Sequence, residues 1–499
     1  MEDHRLQVLR DTANEHAITP ERLRALRREV VAKVRGRGIE GLPHDVIERI
    51  IWFAYGPRDK AWRNLLFVNR YLREVTCRAS FLWIQIDADQ NPRLHLERSK
   101  SRGLSVSVSK VYSSAVRFED WLNVIDPHVE RWKSFSLESM PALECIDDVR
   151  SRAHLRLCHL RDYYKGRTFP ALETLHVDYG RDVPIIVESG LLVVRNLSDG
   201  GSTPNFSVRN FFSDWNMPAL RNVEFGGIIP KLPDTCLANI TRLQLGLGDT
   251  YPGQPALRPV VNYKISEIRA LLRNLPALTE LLFKICHLKY FLEDVEEDDS
   301  GAELPSLRSL SLEIEDVKMR GGMCLIYDLV SAPGLREIHM RTDDGEHVEV
   351  LAEELFPKPD RTSRYECLET LSLCFTHCER DSDDINFLLY PPGLCQMLSD
   401  LPRLRHLHVS HWQYRWPEFF MLHDHYDQQY GLCASPPLRT IKLDHCEGLL
   451  TSFILETLMD TIHGEDFEML EIHSCPNVDA DKVRKEIPEG KEFRFTKSD

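Results

Sequence analysis

The residues best suited to chemistry are cysteines and histidines. The segment "CFTHC" sets Cys374, His377 and Cys378 close together, with His406, His408 and His411 further along the chain. Thiolates and imidazoles are the ligands of tetrahedral zinc, so this is the chain's nearest approach to a metal centre. No C-x-x-C pair accompanies it, and no G-x-x-x-x-G-K-[ST], G-x-S-x-G or H-E-x-x-H occurs anywhere. Three other cysteines, Cys286, Cys446 and Cys475, each stand at one fixed place in a recurring apolar pattern, where a small side chain is buried in the turn after a strand. The expectation is a chain with no catalytic residues, no metal and no cofactor, hence not an enzyme.

That pattern sets the elements. "LPALTELLFKICHL" carries Leu278, Leu281, Phe283, Cys286 and Leu288 at every key position of L-x-x-L-x-L-x-x-N/C-x-L. Ten more segments carry its first part: Trp132-Phe135-Leu137, Leu172-Leu175-Val177, Leu220-Val223-Phe225, Ile240-Leu243-Leu245, Leu307-Leu310-Leu312, Leu335-Ile338-Met340, Leu368-Leu371-Leu373, Leu404-Leu407-Val409, Leu438-Ile441-Leu443 and Phe467-Leu470-Ile472. Seven of the eleven have Pro one or two residues before the first apolar position. From Leu278 the first positions advance by 29, 28, 33, 36, 34 and 29 residues, whereas the earlier steps are 40, 48, 20 and 38. The spacing predicts a regular C-terminal half and a distorted or inserted region at 180–260.

Between the triplets, "ISEIRALLRNL", "CLIYDLV", "GLCQMLSDL" and "SFILETLMDTI" place apolar residues three or four apart and read as helices. Each unit is then a strand and a returning helix that cannot bury both faces alone, so stacking is required. The fold class that follows is α/β, a leucine-rich-repeat solenoid with a curved parallel sheet on its concave side and helices outside. Alternation turns the triplet residues inward and leaves a stripe facing out. Its members include Glu280, Lys284, Glu337, His339, Arg341, His406, His408, Ser410, Lys442, Glu471 and His473. Mixed in charge and rich in imidazole, that stripe suits a protein target.

Upstream of the repeats, Leu42 and Pro43 open a helix whose stripe Val46, Ile47, Ile50, Ile51 and Ala54 is expected to be buried. "YGPRDK" breaks it, helical segments run from Lys60 to about Ala79, and "FLWIQIDAD" leads into strand-like alternation. So little helix makes a thin core, which raises the question of what its apolar surface leans on. Residues 1–38 add a basic helical extension that opens at Thr19-Pro20-Glu21.

Leu42-Pro43 and the Val46/Ile47/Ile50 helix, then Val68, Asn69, Arg70, Arg73, Glu74 and Val75, then Leu82-Trp83, resemble the F-box. Leu72 stands where that family usually has an aromatic, and Ser80 where it has a proline. "LERSKSRGLSVSV", 96–108, resembles the segment that follows the F-box in many basidiomycete-type members, and the chain as a whole resembles a fungal F-box protein with leucine-rich repeats. The resemblance implies an F-box at 39–90 and a repeat domain at 91–499. It also implies binding of a Skp-family adaptor, and through it a cullin, at or above Leu42, Pro43, Val46, Ile47, Ile50 and Val68. Trp83 would be an internal anchor. The implied role is the substrate-recognition subunit of an SCF-type ubiquitin ligase; the alternative is an interaction scaffold with no part in degradation.

Composition narrows the partners. A formal net charge of −15 argues against a phosphate backbone as partner. No run of 18 apolar residues exists, no secretory signal is legible at the start, and 13 Cys form no disulfide framework, so the expected location is cytoplasmic or nuclear, away from membranes.

Overall fold

The computed structural model describes residues 42–55, 60–88, 90–108, 115–138, 159–178, 185–188, 191–194, 210–226, 229, 231–248, 265–286, 301–315, 329–342, 365–375, 401–411 and 437–497. The extension at 1–38, His377 and Cys378 of "CFTHC" and most of "GLCQMLSDL" lie outside them. The chain forms two compact units, Met1–Ser105 and Val106–Asp499.

In the first unit a helix spans His44–Tyr55. The next helical stretch is divided at Asn69, whose backbone is extended and whose side chain accepts from Leu72 N–H at 2.7 Å. That cap ends the helix Leu65–Val68 and starts Arg70–Arg78. Ile47, Ile51, Trp62, Leu72, Val75, Ala79, Phe81, Leu82 and Trp83 form the core. Trp83 is buried in this core: its Nε1–H donates to Thr76 C=O at 2.9 Å, and its ring meets Trp62 at 5.0 Å and His95 at 5.1 Å. His95 belongs to the helix Pro92–Ser99, capped by Asn91 with Pro92 in its first turn.

The α/β fold is built on one long parallel sheet of 14 strands. Each of the eleven apolar triplets lies in or leads into one of these strands, and every triplet residue from Trp132 to Ile472 is buried. At roughly 1.5–3 kcal/mol per buried large apolar side chain, this stack is the main source of the fold's stability. Register is unbroken: Leu281, Leu310, Ile338, Leu371, Leu407, Ile441 and Leu470 pair in one row, and Phe283, Leu312, Met340, Leu373, Val409, Leu443 and Ile472 in the next.

The recurring proline has a physical role. Leu172, Leu220, Leu278, Leu307, Leu335 and Leu404 each donate N–H to the carbonyl three residues back, closing a β-turn before the strand. Pro170, Pro218, Pro276, Pro305, Pro333 and Pro402 stand at the second position of those turns, where a φ fixed near −65° fits. After the strands, His411, His445 and Ser474 adopt left-handed φ of 57°, 52° and 52° and donate to the next strand's Asp444, His473 and Thr496 carbonyls. Cys446 and Cys475 are buried in those turns as expected, with Cys446 N–H donating to Cys475 Sγ at 3.4 Å.

Helices form at Ile265–Arg273 and across 451–463, the latter through Thr451–Phe453, a π-helical Ile454–Leu458 and Met459–His463. Of "CLIYDLV" only Leu329 and Val330 are among the described residues, and Val330 lies in the two-residue strand Val330–Ser331, paired with Ala302–Glu303, because Ala302 and Leu304 take up the Leu329 and Ser331 carbonyls. Within 180–260 the chain adds an antiparallel hairpin, Ile185–Glu188 with Leu191–Val194, separate from the main sheet.

Candidate functional site

Two surfaces qualify, one on each unit. In the first unit the stripe on His44–Tyr55 is only partly buried. Ile47 and Ile51 face the core, while Val46, Ile50 and Ala54 lie at the surface, because the short helices behind them cover one side of the helix and not two. Ile50 is 45 % exposed, Phe53 85 %, Phe67 80 % and Val68 62 %. Val46, Ile50 and Phe53 recur at i, i+4, i+7 and share one helix face. Leu42 is half-buried and Pro43 exposed; Tyr71 O–H donates to Leu42 C=O, which ties this entry segment to the helix Arg70–Arg78. Of the six residues first singled out, Ile47 alone is fully buried and supports the surface from beneath. Sequence reading passed over Phe53 and Phe67, although the helical period already set Phe53 in line with Val46 and Ile50.

The second surface is the outward face of the sheet. Its rows follow from strand register. The first contains Arg242, Glu280, Ser309, Glu337, Thr370, His406, Thr440 and Met469. The middle row contains Ser136, His176, Glu224, Gln244, Leu282, Ser311, His339, Ser372, His408, Lys442, Glu471 and Arg494. The third includes Lys284, Glu313, Arg341, Cys374, Ser410, Asp444 and His473. Ten residues read as target-facing from sequence fall on these rows, none of them fully buried. Ser410 departs from the alternation: it is buried between Cys374 and Asp444.

Charges on this face are largely paired across strands. Arg242 meets Glu280 at 3.5 Å, Lys284 meets Glu313 at 3.4 Å, and Lys442 meets Glu471 at 4.0 Å. His473 Nε2 lies 2.8 Å from Glu471 Oε1, and that hydrogen bond above all lowers the Glu471 pKa. His339 lies 3.6 Å from Glu337 within its own strand, and His406 Nδ1 lies 2.8 Å from Thr440 Oγ1. Burial, then the Lys442 charge, lowers the His408 pKa, while its Nδ1 approaches Ser372 Oγ at 3.3 Å. His176, Glu224 and Gln244 form a further cluster that the sequence reading did not reach, though the triplets at Leu172, Leu220 and Ile240 carry the same alternation.

Among the described residues, no group of three His, Cys, Asp or Glu is placed to hold a metal ion, and no helix is long and apolar enough to cross a membrane. What the described residues define is an α/β protein of stacked parallel strands offering an apolar helical surface and a polar sheet face. Comparison with models of known families gives no match, nor does comparison with curated proteins.

Proposed function

We propose that the chain is a non-catalytic substrate-recognition subunit of an SCF-type ubiquitin ligase, with an F-box at its N-terminal helices and a leucine-rich-repeat solenoid after it. The observation that carries this reading is the exposed apolar set Val46, Ile50, Phe53, Phe67 and Val68 on a unit with a small core. Exposed apolar side chains in such number are costly unless a partner covers them, and a Skp-family adaptor is the partner that the F-box resemblance implies. The adaptor would link the chain to a cullin. The sheet face, with Glu280, Lys284, Glu337, His339, Arg341, His406, His408, Lys442, Glu471 and His473, would hold the target protein. Catalysis would come from other subunits, and the contribution of this chain would be the effective concentration of target lysines near them.

Co-purification of the full chain with a Skp-family adaptor tests the proposal, alongside the double variant Ile50→Asp, Val68→Asp. Both positions are surface-exposed, so the variant should fold. Stoichiometric binding by the wild type and its loss in a folded variant is the expected result. No binding by the wild type, or undiminished binding by the variant, overturns the assignment.

A further inference from the structure

Among the described residues the strand Glu492–Thr496 is the last of the sheet and is paired on one side only, to Met469–His473. Glu492 N–H donates to Glu468 C=O and Thr496 C=O accepts from Ser474 N–H, so the even-numbered residues turn their backbone groups toward that neighbour. In a parallel ladder the alternate residues must then present theirs to the free edge. Phe493 and Phe495 are those residues. Their side chains continue the two buried rows ending in Leu470 and Ile472, yet both are partly exposed, since among the described residues no strand lies beyond them. Lysine commonly guards such an edge, but the Lys491 ammonium is held by the carbonyls of Gly464, Glu465 and Phe467.

We propose that this edge pairs with the same strand of a second copy of the chain, antiparallel and centred on Arg494. The segment Lys491-Glu492-Phe493-Arg494-Phe495-Thr496-Lys497 is nearly palindromic about Arg494, and one register satisfies backbone, apolar and charged groups together. Phe493 stands opposite the second copy's Phe495 as a hydrogen-bonded pair, and symmetry repeats it, so all four edge-facing groups of each strand find partners. The same register sets phenyl against phenyl on the inward side. On the outward side Arg494, already 2.7 Å from its own Glu492, gains the second copy's Glu492 as a diagonal neighbour, which offsets the facing arginines.

Light scattering on the full chain over a dilution series reads the assembly directly. The expected mass is twice 57.8 kDa at high concentration. Phe495→Pro deletes an edge-facing N–H without touching the ladder to Met469–His473, and should return the mass to 57.8 kDa with the circular-dichroism melt retained. A wild type that stays at 57.8 kDa throughout, or a folded F495P protein that remains a dimer, overturns the proposal. Should F495P fail to fold, Arg494→Cys decides. Opposed Cα atoms in a non-hydrogen-bonded antiparallel pair lie about 4.5 Å apart, within disulfide reach. A peptide map of the oxidised protein should show the 494–494 disulfide between copies, and its absence overturns the pairing.

Discussion

Glu224 joins three strands through one carboxylate. His176 Nδ1 lies 2.9 Å from Oε2, and Gln244 Nε2 donates to Oε1 at 2.6 Å. The hydrogen bond to Glu224 is the main cause of a raised His176 pKa, with Glu138 and Asp178 adding to it. A histidine whose pKa rises on folding stabilises the fold fully below its unfolded value of about 6.5, and loses that contribution as pH climbs through the folded value. His176→Gln should therefore lower Tm most at acidic pH, with the gap to wild type closing above the folded pKa. A gap that widens with pH contradicts the assignment. Tyr164 gives a second residue-level test. Its ring is buried among Trp132, Phe169 and Trp215, burial pushes its pKa up, and its hydroxyl has no hydrogen-bond partner among the described residues. An unsatisfied buried hydroxyl costs about 1–3 kcal/mol, so Tyr164→Phe should raise the unfolding free energy; a loss of stability on denaturant titration would refute that account.

Each strand is set by three apolar residues and by the turn that delivers the first of them. Leu310 occupies the inward row between Leu281 and Ile338. Truncation to Ala should cost roughly 2–5 kcal/mol in equilibrium unfolding, and a change within error would contradict its inward placement. Strand positions were legible because burial on a sheet has period two and a one-residue slip would expose every leucine. Helix Ile265–Arg273 was legible from its own period. The strand Glu492–Thr496 and the pair Ala302–Glu303 with Val330–Ser331 carry no full triplet, and pairing with distant neighbours makes them strands. Asn69 shows the same limit on a helix: apolar spacing continues across it, and only the side-chain cap reveals the break.

Parallel strands in chain order contact their neighbours and little else, so perturbation should spread along the stack rather than through the whole sheet. Hydrogen exchange in Leu310→Ala should quicken in Glu280–Cys286 and Glu337–Thr342 well before Met469–His473; equal acceleration everywhere would mean that the sheet opens as one unit. Sequence by itself determined the repeat, the inward leucines and the outward rows, because side-chain alternation and turn chemistry are local properties of a strand and its entry. It likewise placed Leu42, Pro43, Val46, Ile50 and Val68 in one short segment. Only the tertiary structure decided which of the stripe's residues are core and which are surface, since Ile47 and Ile50 differ only in what packs over them. Tertiary structure also decided the cross-strand ion pairs, the burial of Ser410 and the free edge at Phe493 and Phe495. Each depends on groups far apart in the chain, and such contacts exist only after the strands have paired.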